Sequence, residues 1–229
     1  MSKLKFPHAS GNSMSIAAPA TNPASDLELK LPATIGTAGQ ALVNSSTAGT
    51  LEFVNNAKTT KHYDSDAVSA SSIEITSGFS NPIEIKISYY LMTWSGDPSL
   101  PSIQIGTSSG YHSSNYNEIS TNTTPSSTSV TACERTHDGS YWPMVSHSNT
   151  NNKNIYSGSF VITRCGNGGK YSFVKNNIIE RTENNNQYNN YGSGRVDIGG
   201  ELTRLKIYAP QGTTITSGGF TITSISEPS

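Results

Sequence analysis

Apolar and polar residues alternate with a period of two from Pro82 to Met92. Ile83, Ile85, Ile87, Tyr89 and Leu91 fall on one face, and Glu84, Lys86 and Ser88 on the other. That pattern predicts a half-buried antiparallel strand. Shorter stretches of the same kind occur at 72–76, 102–105, 158–164, 171–179, 194–198, 202–208 and 219–225, each fenced by Gly, Pro, Asn, Asp or Ser. Helical spacing of apolar residues is nearly absent, and the best candidate, 171–180, is rich in Val, Ile, Phe and Tyr, so strand is expected there too. Eight strands with turn-rich spacers predict an all-β chain whose residues 57–229 form a jelly-roll-like antiparallel β-sandwich.

Residues 1–56 read differently. Their apolar residues are too sparse to close a core, and two short alternating pieces carry most of them: Leu27, Leu29 and Leu31 in one, Leu51 and Phe53 in the other. Such a segment has to bury one face against the following domain, a neighbouring chain or another protein. It is expected to be a short β-arm for attachment or oligomerisation.

Ser, Thr and Asn number 36, 25 and 21, whereas charged residues are 14% of the chain and the formal net charge is -1. Polarity therefore comes from hydroxyls and amides, which removes the electrostatic case for nucleic acid and the high net charge of a disordered chain. No apolar run approaches the length needed to span a bilayer, so no membrane insertion is expected. The opening Met1 to His8 begins basic but passes into Ala, Ser, Gly and Asn, which is not expected to act as a secretory signal. Cys133 and Cys165 cannot build a disulfide framework; both are expected to be small, buried or half-buried thiols, with their pairing left open.

Catalysis needs convergent titratable groups, and these are scattered. The densest cluster is Cys133, Glu134, His137 and Asp138, from which a metal site or a Cys/His nucleophile could be built. The simpler expectation is a turn at Asp138 and Gly139 with the charges facing water. Gly166, Gly168, Gly169 and Lys170 suggest a phosphate loop, but the spacing is wrong and no Ser or Thr follows the lysine, so a hairpin loop is expected. No cofactor, metal or enzymatic activity is assigned. Glycans fit better, because sugars are held by aromatic faces flanked by amides and hydroxyls without ionic charge. The candidates are Tyr111 and Tyr116 beside Asn115 and Asn117, Tyr141 with Trp142, and Tyr188 with Tyr191. The last pair lies in one of two Asn-rich stretches, 146–154 and 183–194, both expected to be exposed loops because so many buried amides would need partners.

The segment from His8 to Leu42 resembles the N-terminal segment of many tailed-phage virion proteins, especially tail fibres of aquatic phages. It has an apolar-Pro formula, then the turn Gly36-Thr-Ala-Gly-Gln40, then a return strand that closes on Gly49-Thr-Leu-Glu-Phe53. The remainder, through 101–111, 158–164 and 200–222, is similar to the β-sandwich often joined to it. The resemblance implies a non-enzymatic virion structural protein, a tail fibre, spike or capsid-surface component. Its implied partners are itself, as a homotrimer, and other virion proteins, with a host surface glycan as a further contact. It also implies folding in the host cytoplasm before assembly. A carbohydrate-binding module or lectin is the alternative. A polysaccharide-degrading tailspike would want paired acids in a cleft and a repetitive solenoid, neither of which is visible.

Overall fold

The computed structural model describes residues 3–7, 13–17, 28–80, 82–95, 101–123, 130–144, 154–166, 168–181, 186–209 and 214–227. The chain divides into two compact units, Met1–Asn56 and Ala57–Ser229.

The first unit holds two hairpins. β1 (Lys3–Pro7) pairs with β2 (Ser13–Ala17), and β3 (Gln40–Asn44) pairs with β4 (Leu51–Asn55). The turn before β3 is tied twice: Gln40 N donates to Thr37 O at 3.2 Å, and Thr37 N donates to Gln40 Oε1 at 2.8 Å. The expected strand around Leu27, Leu29 and Leu31 is not formed in the described residues. Only Lys30 makes a bridge, to Thr50, and Leu27 lies outside the described residues. No residue from 28 to 56 is buried.

The second unit runs β5 (Lys58–Ser65), β6 (Ser72–Ile75), β7 (Pro82–Ser95), β8 (Ser102–Thr107), β9 (Gly110–Tyr111), β10 (Tyr116–Thr123), β11 (Val130–Gly139), β12 (Trp142–Pro143), β13 (Asn154–Arg164), β14 (Lys170–Arg181), β15 (Asn186–Asp197), β16 (Arg204–Tyr208) and β17 (Thr214–Ser226). They form an eight-stranded sheet, β11-β10-β15-β14-β13-β7-β17-β5, and a five-stranded sheet, β12-β8-β16-β6 with β9 on β8, all paired antiparallel. The two sheets pack as a sandwich, as the alternation predicts. The chain passes repeatedly between them, and one core takes inward residues of β7, β10, β13, β14, β15 and β17 from the larger sheet and of β6, β8, β12 and β16 from the smaller. β14, β15, β10 and β11 widen the larger sheet beyond β13.

The core is built from the inward positions of both sheets, among them Ile85, Ile87, Ile103, Ile105, Phe160, Leu205, Ile207 and Ile222, all at most 1% exposed. Three expectations need correction. The alternation in β7 does not run through to Leu91: the pairing of β7 with β13 and with β17 shifts register near this point. Tyr90 and Leu91 are consecutively exposed, and Met92 and Trp94 take the inward positions. Leu91 carries φ 50°, the local kink of a bulge, held by Leu91 N donating to Ser157 Oγ at 3.0 Å. From Asn186 on, the Asn-rich stretch 183–194 is not a loop, since Asn186–Asp197 is a full strand in which Asn190 is wholly buried; 183–185 lie outside the described residues. Asp138 and Gly139 do not make a turn between strands but end β11; the side chains of 130–138, and the stretch 145–153 that holds most of the other Asn-rich run, lie outside the described residues. The Gly-rich run does close the β13–β14 hairpin, with Cys165 N donating to Lys170 O at 2.8 Å.

Candidate binding surfaces

The six aromatic candidates separate by where alternation sends them. Tyr116 and Trp142 are 0% exposed and belong to the core, so neither offers a face to a ligand. Tyr116 hydroxyl accepts from Ile105 N at 3.0 Å and donates towards Ile105 O and His112 O, which plugs the edge of β8 between β9 and β12. Tyr188 is half-buried and packed against the core. Tyr111 and Tyr141 lie half-buried on the outer side of the five-stranded sheet, and Tyr191 stands 45% exposed on the outer side of the eight-stranded one.

Leu205 and Ile207 face inward, so Arg204, Lys206 and Tyr208 face outward, and register places Glu74 and Gln104 beside Lys206. Lys206 Nζ lies 5.7 Å from the Tyr111 ring centroid and 5.1 Å from that of Tyr208, and pairs with Glu74 at 2.8 Å. Tyr141 meets Tyr208 edge-on at 6.3 Å. Tyr208 was not singled out by sequence; its position two residues from Lys206 in an alternating strand was the available signal. Burial first, then the Glu74 carboxylate, pushes the Tyr111 hydroxyl up to about 12, and burial with Tyr141 does the same to Tyr208. A tyrosine with a raised pKa stays protonated in the fold while the unfolded chain ionises near pH 10, so stability drains away as pH rises from about 10 to about 12. Alkaline difference absorbance on the native protein is expected to show these two tyrosines ionising near pH 12. Tyr111→Phe together with Tyr208→Phe should remove two tyrosines' worth of the change near pH 12, while the more deeply buried Tyr89 and Tyr116 ionise later still.

The second surface is made by β10, β15 and β14. Ile119, Ser193 and Val174 form one outward row across the three strands. Asn117, Arg195 and Ser172 form the next on one side, and Thr121, Tyr191 and Asn176 the next on the other. Ile119 and Val174 are 60% and 62% exposed, and the small Ser193 lies between them. The result is a trough of about 640 Å³ with apolar walls and Arg195 at one end. Glycines flank the serine for a reason on the opposite side of the sheet. A Cβ on Gly194 would sit 2.0 Å from Asn117 O and 2.4 Å from the Phe173 ring, and one on Gly192 would meet Lys175 Cε at 2.6 Å. Phe173 and Lys175 thus lie flat across β15, and the strand above them has no bulk between Tyr191, Ser193 and Arg195.

Beneath this surface runs a buried polar seam that sequence reasoning missed. Lys175 and Glu118, at 0% and 1% side-chain exposure, form an ion pair, and Lys175 Nζ also donates to Pro143 O at 2.9 Å. Asn177 Nδ2 donates to Met144 O at 2.5 Å and to Asn190 Oδ1 at 3.3 Å, while Tyr89 hydroxyl donates to Asn177 Oδ1. Asn190 Nδ2 in turn donates to Thr121 O at 3.4 Å. These bonds tie β10, β15 and β14 to the 142–144 segment.

In the N-terminal unit, Leu29, Leu31, Ile35 and Leu42 are 60%, 71%, 95% and 46% exposed, and Leu51 and Phe53 are half-buried, with the Phe53 ring lying against Gly36. Cys165 is a free thiol on the surface, so it is neither buried nor paired with Cys133, and its Sγ lies 3.0 Å from Ser172 Oγ. Among the described residues no group of three or more His, Cys, Asp and Glu gathers as a metal site. No protein-family model, curated protein or solved structure matches the chain.

Proposed function

We propose that this protein is a non-enzymatic structural component of a phage particle, a tail-fibre, spike or capsid-surface protein. In this reading residues 1–56 dock onto sister chains or other particle proteins, and the sandwich, built on a jelly-roll plan, presents its outer faces to the host surface. The observation that carries it is the N-terminal unit itself. It has two-stranded hairpins, no buried residue from 28 to 56, and exposed Leu29, Leu31, Ile35 and Leu42. A lone hairpin is marginal in water, and large apolar side chains left this exposed in a unit without a buried residue from 28 to 56 are available to a partner. The chain's resemblance to phage virion segments gives the docking partner its class, and closed symmetry gives the homotrimer its place in the proposal.

Light scattering on the full chain at micromolar concentration is expected to give the mass of three 24.4 kDa chains. Changing Leu29, Leu31 and Leu42 to Ser should reduce it to one. A one-chain mass for the unaltered protein, together with its absence from purified particles, would overturn the proposal. A free carbohydrate-binding module is the second reading, and the trough with the exposed Tyr191 and Asn176 on the row beside it favours it.

A further inference from the structure

We propose that the trough on β10, β15 and β14 binds a short acidic saccharide, with Arg195 taking the carboxylate of one sugar and Tyr191 stacking on its neighbour. The inference deepens the host-contact reading and rests on it.

Shape comes first. Tyr191, Ser193 and Arg195 succeed one another on the outer face of β15, so the Cα atoms of Tyr191 and Arg195 lie about 13 Å apart along the strand. Between them Ser193 leaves the channel open, and Ile119 and Val174 wall it. A volume of about 640 Å³ falls within the range of sites for small ligands. The trough takes in the rows of Arg195 and Ser193, and Tyr191 stands exposed on the next outward row of β15; together they suit two or three linked rings.

Chemistry selects the ligand. Tyr191 has its ring exposed, with Asn176 and Thr121 directly across the ladder on either side. An aromatic face flanked by an amide and a hydroxyl is what a pyranose needs, its C–H patch on the ring and its hydroxyls on the polar groups. At the far end Arg195 is exposed, lies between Asn117 and Ser172, and makes no ion pair with any described residue. The outward rows of the three strands at this point contain one cation and no acid; the nearest acid in register is Glu134, on β11 beyond Ile119. A planar guanidinium with no ion pair among the described residues, beside an amide and a hydroxyl, is matched by a carboxylate. That distinguishes an acidic sugar from a neutral one.

Other occupants fit less well. The strands beneath the trough are paired on both sides, so no free backbone edge exists to take an extended peptide. A second copy would have to bury about 800 Å² per partner, and here the apolar side chains are interrupted by Ser193 and Asn176.

Uronic and sialic acids share the required carboxylate, and the test separates them. Calorimetric titration of the full chain with trigalacturonic acid and with sialyllactose is expected to show binding of at least one. The corresponding neutral ligand, the methyl ester of trigalacturonic acid or lactose, should bind at least about tenfold more weakly, the loss of one charge-assisted contact. Arg195→Met should reproduce that loss with the acid and leave binding of the neutral ligand unchanged. Tyr191→Ala should weaken both. Ser193→Leu, at an outward position, should fill the channel and abolish binding while circular dichroism stays native. Equal binding of acid and neutral ligand overturns the proposal, as does no binding of either acid at millimolar concentration. So does a concentration-dependent association of chains that Ser193→Leu removes, which would give the face to a second copy. Binding is read on the free chain, so its failure leaves the N-terminal docking standing. A one-chain mass with saccharide binding intact removes the docking alone.

Discussion

Replacing Lys175 by alanine is expected to destabilise the fold by about 3–5 kcal/mol, the usual loss when one partner of a buried ion pair is removed. Glu118 is 2% exposed and Lys175 1%, so neither can recover its hydration by a small movement. The loss has a second part, because Lys175 Nζ also satisfies Pro143 O in the covering segment. Urea unfolding followed by circular dichroism would measure it. The double change Lys175→Met with Glu118→Leu should recover most of the loss, since a well-packed apolar pair of similar volume is often as stable as the ionic one. A cost below about 1 kcal/mol for the single change would mean that water reaches the pair, as it does in surface ion pairs. The double variant also separates architecture from recognition. Its substitutions face inward while Arg195 and Tyr191 face outward, so a folded double variant should still bind the acidic saccharide.

The sandwich was legible in the sequence wherever alternation was carried by strong β-formers. Ile85 and Ile87 in β7, Phe160 and Ile162 in β13, and Leu205 and Ile207 in β16 all point inward at the period predicted. β15 was not legible. Asn and Gly are poor strand formers and good turn formers, and what keeps Asn190 extended is the seam on its neighbours, Asn177 and Thr121, which only pairing brings together. The same seam hid in plain alternation, because Tyr171, Phe173, Lys175, Asn177 and Ile179 occupy successive inward positions of one strand and nothing local marks a lysine as buried. Leu91 misled in the opposite sense: the period continues through it in sequence, but a bulge turns it outward and delivers Met92 and Trp94 to the core. Of the aromatic candidates Tyr191 is exposed on an outer face, Tyr111 and Tyr141 are half-buried on the other, and Tyr116 and Trp142 were drawn into the core. Residue type suggested the chemistry of a surface, and the choice of which ring would be exposed lay with register.

Trp142→Ala is expected to cost about 3–5 kcal/mol, the range for deleting a large buried aromatic ring. The indole is 0% exposed and packs at 4.8 Å from Phe173, 6.0 Å from Phe160 and 5.0 Å, edge-on, from Tyr116, so its removal opens a cavity shared by both sheets. Trp142→Phe should cost far less, about 1 kcal/mol, because an aromatic ring remains and Nε1 has no hydrogen-bond partner among the described residues. β12 is only two residues long, with Trp142 opposite Ile103 and Pro143 opposite Ser102. So short a ladder cannot hold the segment on its edge; the ring does. Pro143 O and Met144 O are the acceptors for Lys175 and Asn177, so loosening 142–144 also deprives the buried seam of two partners. Trp142→Ala and Lys175→Ala should therefore cost less together than the sum of each alone, with a coupling energy of about 1–3 kcal/mol in a double-mutant cycle. Hydrogen exchange gives an independent reading: the Met144 amide donates to Pro101 O at 2.7 Å and should lose protection in either single variant. Strict additivity of the two changes would mean that the aromatic core and the polar seam are separate supports, and that the 142–144 segment is held by something other than Trp142.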